Sequence, residues 1–210
     1  MKVHMKMGQF ETSTFAILAL ITMAIALWWY YTREYPILNI NNQNEAIVLF
    51  GDSLAYGTGS SEAQGGIEGI LERRLNIEIL NMGVPGDTTA DAERRISSVV
   101  SKEPRVVIMS LGGNDFIRRT NKNDVAKRYG RMIARIQDSG AAVIILGVPG
   151  YLGTYKDLAQ TYQAGYVKNI LSGLITNPEF MHDAIHPNDK GYEKVADRIE
   201  PVLRRVLGRN

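Results

Sequence analysis

Two textures of hydrophobicity divide the chain. From Thr12 to Tyr31 the run TSTFAILALITMAIALWWYY is apolar almost throughout, and no charge appears between Glu11 and Arg33. About 20 such residues, rising 1.5 Å each, cross a hydrocarbon core of roughly 30 Å. A helix in a globular core normally keeps a polar face, and this stretch has none. The pattern therefore predicts a membrane-spanning helix over residues 12–32, behind a short N-terminal segment 1–11. Trp28, Trp29, Tyr30 and Tyr31 suit the interfacial zone, and Lys2 and Lys6 ahead of the span place the N-terminus in the cytoplasm and the rest outside. A cleaved signal peptide, with Ala24-Ile25-Ala26 as its small-residue site, is the rival reading. The apolar run continues past that site, which favours the uncleaved anchor. Residues 33–45, Asn-rich and without periodicity, read as a linker.

From Ala46 onward short apolar runs alternate with amphipathic stretches. Ala46–Phe50, Ile77–Leu80, Arg105–Ser110 and Ala141–Val148 predict strands, three of them β-branched and nearly continuous in their hydrophobicity, as strands buried on both faces are. A weaker fifth strand is expected over Tyr166–Ile170. Helices are expected over Gly66–Leu75, Thr88–Ser101 and Asp124–Ser139, where Met132, Ile133 and Ile136 share a face. A last helix closes the chain, and its Pro201 predicts a kink or a break. The alternation implies an α/β domain over residues 46–210: a three-layer α/β/α sandwich, flavodoxin-like, around a mainly parallel sheet of about five strands.

Composition narrows the chemistry. With 210 residues, 45% hydrophobic and 22% charged, the chain has room for one globular domain and hardly for two. A net charge of +2 with scattered basic residues lacks the electrostatic footprint of a nucleic-acid binder. The absence of cysteine excludes disulfides, zinc thiolates and thiol nucleophiles.

In open parallel sheets ligands bind beyond the carboxyl ends of the strands. Three of those ends carry small or polar residues: Gly51-Asp52-Ser53, NMGVPGDTT and LGGND. Acyl transfer needs a hydroxyl, an imidazole to take its proton, and a carboxylate to hold the imidazole. His4 precedes the span, which leaves His182 and His186, and Asp183 in MHDAIHPN can reach the ring of His186. A tetrahedral intermediate also needs preorganised donors. Gly86 adjoins a capping box at Thr88 and Asp91, and Asn114 offers a side-chain amide. Each residue alone also reads as a local device: Ser53 as a helix cap, Asp183 and His186 as a capping turn, Gly86 and Asn114 as turn formers.

Together, FGDSLAYG, NMGVPGDTT, SLGGND and MHDAIHPND resemble, in order and approximate spacing, the four sequence blocks of the SGNH (GDSL) hydrolases, with most similarity to the thioesterase I, lysophospholipase L1 and arylesterase branch. The resemblance implies Ser53 as nucleophile, His186 as base, Asp183 as its orienting partner, and Ser53, Gly86 and Asn114 as oxyanion donors. It implies a serine hydrolase cleaving acyl esters or thioesters of small molecules or lipids through an acyl-enzyme, with no metal or organic cofactor. An O-acetyl polysaccharide deacetylase and a non-catalytic tethered binding module are the alternatives. Tyr151, Leu152 and Tyr155 are candidates to line an acyl pocket, although covering the sheet edge explains them equally simply; Arg118 and Arg119 could meet an anionic group, but a solvated helix start is the favoured reading. In a bacterial cell the expected location is the inner membrane, single-pass, with the domain facing the periplasm, or the periplasm itself after cleavage.

Overall fold

The computed structural model describes residues 15–25 and 35–209. The chain divides into two units, Met1–Pro36 and Ile37–Asn210. In the first, residues 15–25 form a helix, α1, whose Phe15, Leu18, Ile21 and Met23 are exposed. Among the described residues no helix is long and apolar enough to cross a membrane. The remainder of the expected span, 12–14 and 26–32, lies outside the described residues.

In the second unit β1 (Ile47–Gly51), β3 (Val106–Ser110) and β4 (Ala142–Leu146) are buried at every position, as their continuous apolar runs require. The sheet has five parallel strands in the order β2-β1-β3-β4-β5, with β2 at Ile79–Gly83 and β5 at Gly165–Val167. The direction of winding reverses between β1 and β3, so right-handed crossovers put helices on both faces. α3 (Gly66–Leu75) packs with α9 (Asp189–Leu207). α4 (Thr89–Arg94), α5 (Ile96–Val100) and α8 (Leu152–Thr161) pack with α7 (Lys122–Asp138). Two short helices, α2 (Ser53–Tyr56) and α6 (Gly113–Ile117), follow β1 and β3. Register matters most here: Gly51 stands level with Gly83 on one side and Ser110 on the other, so three loops leave the sheet side by side.

Several elements differ from the sequence expectation. β2 lies nearer the chain terminus than Ile77–Leu80 because an edge strand tolerates polar residues: Asn81 donates to Ala55 O at 2.9 Å and contacts Glu68. β5 is only Gly165–Val167. The expected helix Thr88–Ser101 is interrupted at Arg95, whose backbone (φ −105°, ψ 9°) leaves the helical region. α9 runs through Pro201 unbroken. Pro201 and Asp197 are both exposed, so the carbonyl deprived of its donor faces water. α8 was not expected at all. The stretch read as a linker docks in part, since Leu38 N donates to Gln163 O at 2.8 Å, Asn39 Nδ2 to Gln137 O at 2.8 Å and Asn42 Nδ2 to Gly140 O at 2.6 Å.

Gly51 shows how tightly the strand ends are stacked: a Cβ there would lie 2.1 Å from Ser110 O and 2.9 Å from the Ala55 Cβ. Gly51→Ala is expected to lower stability by about 1–3 kcal/mol, as overpacking of a filled interior does. The urea midpoint of unfolding measures it, and an unchanged midpoint would show that the strand end has slack.

Candidate active site

The turn after β1 decides what Ser53 is free to do. The residue that caps α2 is Asp52, whose Oδ1 accepts from Leu54 N at 3.0 Å. Ser53 is therefore released from the capping role that a serine at such a turn often takes. Asp52 N also donates to Ser110 O at 3.0 Å, which ties the turn to the end of β3. The Asp52 side chain is buried, and burial pushes its pKa from an ordinary 3.8 up to about 7, against the pull of the Leu54 amide and of His186.

The loop ahead of α9 brings the imidazole. Met181 and Pro187 form an antiparallel bridge, and His182 N donates to His186 O at 2.8 Å. Asn188 Oδ1 caps α9 by accepting from Gly191 N at 3.1 Å. Tyr192 OH donates to Thr58 O at 2.8 Å, holding α9 to the segment that follows Ser53. Within the loop Asp183 Oδ1 accepts from the amides of Ile185 and His186, both at 2.8 Å. Its Oδ2 lies 2.7 Å from His186 Nδ1, and His186 Nε2 lies 2.9 Å from Ser53 Oγ. The bond to His186, and after it the Ile185 amide, push the Asp183 pKa down to about 2. His182 is turned away, against Gly59 and beside Glu179 and Asp189.

The loops after β2 and β3 meet at Asp87. Asn114 Nδ2 donates to Asp87 O at 2.9 Å, which leaves its second N–H for another acceptor. Gly86 takes φ +87°, a conformation glycine adopts without strain, and its carbonyl accepts from Arg118 Nη2 at 3.3 Å. The expected capping box is present: Asp91 Oδ2 accepts from Thr88 N, and Thr88 Oγ1 from Asp91 N. Asp115 is fully buried and accepts from both Thr89 N, at 2.7 Å, and Thr89 Oγ1, at 2.8 Å, so it pins the Asn114 loop to the start of α4. Sequence reasoning missed Asp115, Asp52 and Arg95, since all three act on partners remote in sequence or through burial.

Ser53, Asn114 and His186 open into one cavity of about 210 Å³. Its apolar lining comes from Phe116, Ile117, Val148, Leu171, Ile175 and Ile185. Gly86 does not line this cavity; it is tied to the Asn114 loop by the bonds of Asp87 O with Asn114 and of its own carbonyl with Arg118. The expected acyl-pocket residues lie elsewhere, which corrects the sequence reading. Tyr155 is fully buried behind the Asn114 loop and donates to Leu111 O at 2.9 Å; a Cβ on Gly112 would lie 2.1 Å from its hydroxyl. Tyr151 donates to Thr120 O at 2.7 Å, and Leu152 lines a neighbouring depression with Arg119 and Lys122. Neither Tyr151 nor Leu152 lines the Ser53 cavity, although the Tyr151 ring packs edge-on against Phe116, which does.

A hydroxyl, an imidazole and an ionised carboxylate in hydrogen-bonded series can move a proton off the hydroxyl as it attacks a carbonyl carbon. At the switch point of a doubly wound sheet, beside an apolar cavity, this defines an acyl-ester hydrolase of the α/β class. The chain belongs to the GDSL-like lipase/acylhydrolase family, whose model matches residues 49–170. It is 27% identical over 181 residues to an arylesterase of Vibrio mimicus, covering 78% of this chain and 90% of that one. It is 21% identical over 178 residues to the thioesterase 1/protease 1/lysophospholipase L1 of Escherichia coli K12, covering 78% and 85%. A crystal structure of TesA superposes with a TM-score of 0.72 at 24% identity, over 77% of this chain and 99% of that one. The SGNH-hydrolase family esterase AlinE4 superposes at 0.62 and 26% identity, over 79% and 98%.

Asp52 makes stability depend on pH. From about pH 4 to 7 the unfolded chain holds this carboxylate ionised while the folded chain keeps it protonated, so stability falls as pH rises through that window and levels off above it. Asp52→Asn retains the acceptor for Leu54 N and lacks the titration. Its advantage over the wild type in urea unfolding is expected to grow from pH 4.5 to 7.5; a constant difference would refute the assignment.

Proposed function

We propose that Ser53 is the nucleophile of an acyl-enzyme mechanism, with His186 as general base and then general acid, and Asp183 as the carboxylate that orients and balances the ring. The observation that carries this reading is the unbroken series from Asp183 Oδ2 through His186 to Ser53 Oγ, with separations of 2.7 and 2.9 Å. Ser53 Oγ attacks the ester or thioester carbonyl, His186 Nε2 takes the hydroxyl proton, and the same proton passes to the leaving oxygen or sulfur. Water then repeats the sequence on the acyl-enzyme. The backbone N–H of Ser53, the N–H of Gly86 and the uncommitted N–H of Asn114 are the proposed donors to the oxyanion. The apolar lining and a volume several times that of an acetyl group favour acyl chains longer than acetate.

The test is hydrolysis of p-nitrophenyl esters from acetate to palmitate by the full chain. Ser53→Ala and His186→Ala are each expected to lower kcat by about 10⁴-fold or more, whereas His182→Ala stays close to wild type. A folded His182→Ala protein as inactive as His186→Ala would overturn the choice of base. A profile confined to acetate would favour a deacetylase instead.

For location, we infer that residues 12–32 anchor the protein in the bacterial inner membrane with the hydrolase domain on the periplasmic side. The apolar run and the exposed side chains of α1 support this. The full chain is then expected in the membrane fraction, with the domain cleaved by protease added to spheroplasts; recovery of a shortened chain in the soluble periplasm would identify a cleaved signal instead.

A further inference from the structure

Two adjacent arginines end α4 and behave differently. Arg94 stays at the surface, pairing with Asp91 one turn back and donating to Ala90 O at 3.2 Å. Arg95 turns inward. Its Nε donates to Asp87 Oδ2 at 2.7 Å, Nη1 to Met82 O at 2.7 Å and Nη2 to Gly51 O at 2.8 Å, and the guanidinium lies 4.4 Å from the Phe50 ring centroid. The helix expected through this point is interrupted at the same residue, so the inward turn of the side chain goes with a break in the local structure.

The three acceptors belong to the end of β1, the end of β2 and the loop after β2. Gly51 lies two residues before Ser53. Asp87 directly follows Gly86, and its carbonyl accepts from Asn114 Nδ2. One rigid fork therefore joins the segments that carry the proposed Ser53 and Gly86 donors, and it reaches Asn114 through the Asp87 carbonyl. A planar guanidinium spreads its donors over three nitrogens in fixed directions, whereas an ammonium offers three from a single atom, so the fork suits three acceptors on separate segments.

We propose that Arg95 is a positioning residue for the oxyanion hole, setting the Gly86 and Asn114 donors relative to Ser53 through Asp87 and Gly51. The inference rests on the serine mechanism proposed above and adds to it a residue that never touches substrate. Its effect falls on the transition state, because misplaced donors weaken binding of the developing oxyanion more than binding of the uncharged ester.

The test measures kcat and KM for p-nitrophenyl butyrate with the full chain carrying Arg95→Lys, Arg95→Gln or Asp87→Asn, each alone and combined with Asn114→Ala. Arg95→Lys keeps the charge but cannot span three acceptors, and Asp87→Asn weakens the same link from its other end. Should Arg95→Gln fail to fold, these two carry the test. The expected result is a loss of about 100-fold in kcat with KM within about threefold. On the Asn114→Ala background that loss is expected to shrink below about tenfold, since one of the donors it positions is already gone. A kcat near wild type in folded Arg95→Lys, or a loss equally large with and without Asn114, would overturn the proposal, because a residue that only supports the fold acts independently of Asn114. Hydrolysis that survives Ser53→Ala is a separate outcome and removes the mechanism on which the inference rests.

Discussion

The in-step pairing of β1 with its two neighbours is the constraint on which the site depends. Because Gly51, Gly83 and Ser110 end their strands at one level, the turns that follow emerge together, and chemistry can be divided among them. Parallel strands must be buried on both faces, which fills these strands with aliphatic residues and leaves the polar residues that follow them at their carboxyl ends, where the loop ahead of α9 adds Asp183 and His186. Ser53, the Gly86 loop and Asn114 follow the ends of β1, β2 and β3, where the ladder of strand hydrogen bonds stops.

Polar side chains bonded across the strand ends hold those turns in place. Asp52 accepts from the Leu54 amide, Asp115 from two groups of Thr89, and Arg95 donates to three acceptors. Asp115 gathers hydrogen bonds from Thr89 and lies 3.9 Å from Arg128, whereas burial of Asp52 pushes its pKa up to about 7. The division of labour at the first turn follows from this. With Asp52 as the cap, the neighbouring hydroxyl is left to the imidazole.

Much of this was legible beforehand. The apolar runs of β1, β3 and β4 and the faces of α3, α7 and α9 obey local periodicities, so they were found close to their true bounds. Ser53, Gly86 and Asn114 follow strand ends and Asp183 and His186 precede α9; each alone reads as a local device, and only the four motifs taken in order, through their resemblance to a family, singled them out. α8 escapes the local pattern because the stretch leading into it, GVPGYLGTY, carries turn formers that mask a helix supported by packing on α7, β4 and β5. The break at Arg95 was missed for the opposite reason: the local sequence is good helix, and the acceptors that draw the side chain inward come from 8 to 44 residues away.

The amino-acid sequence by itself determined the class of fold, the order of its strands and helices, and the residue types offered at each strand end, because those follow from periodicity and from neighbours within a turn or two. Only the tertiary structure decided which side chains line the cavity, that Asp52 rather than Ser53 caps α2, and that Tyr155 lies behind the Asn114 loop with Tyr151 bonded to the Thr120 loop. Burial and hydrogen bonding at those positions depend on segments brought together from across the chain, and no local pattern encodes which carbonyl a side chain will find when the layers close.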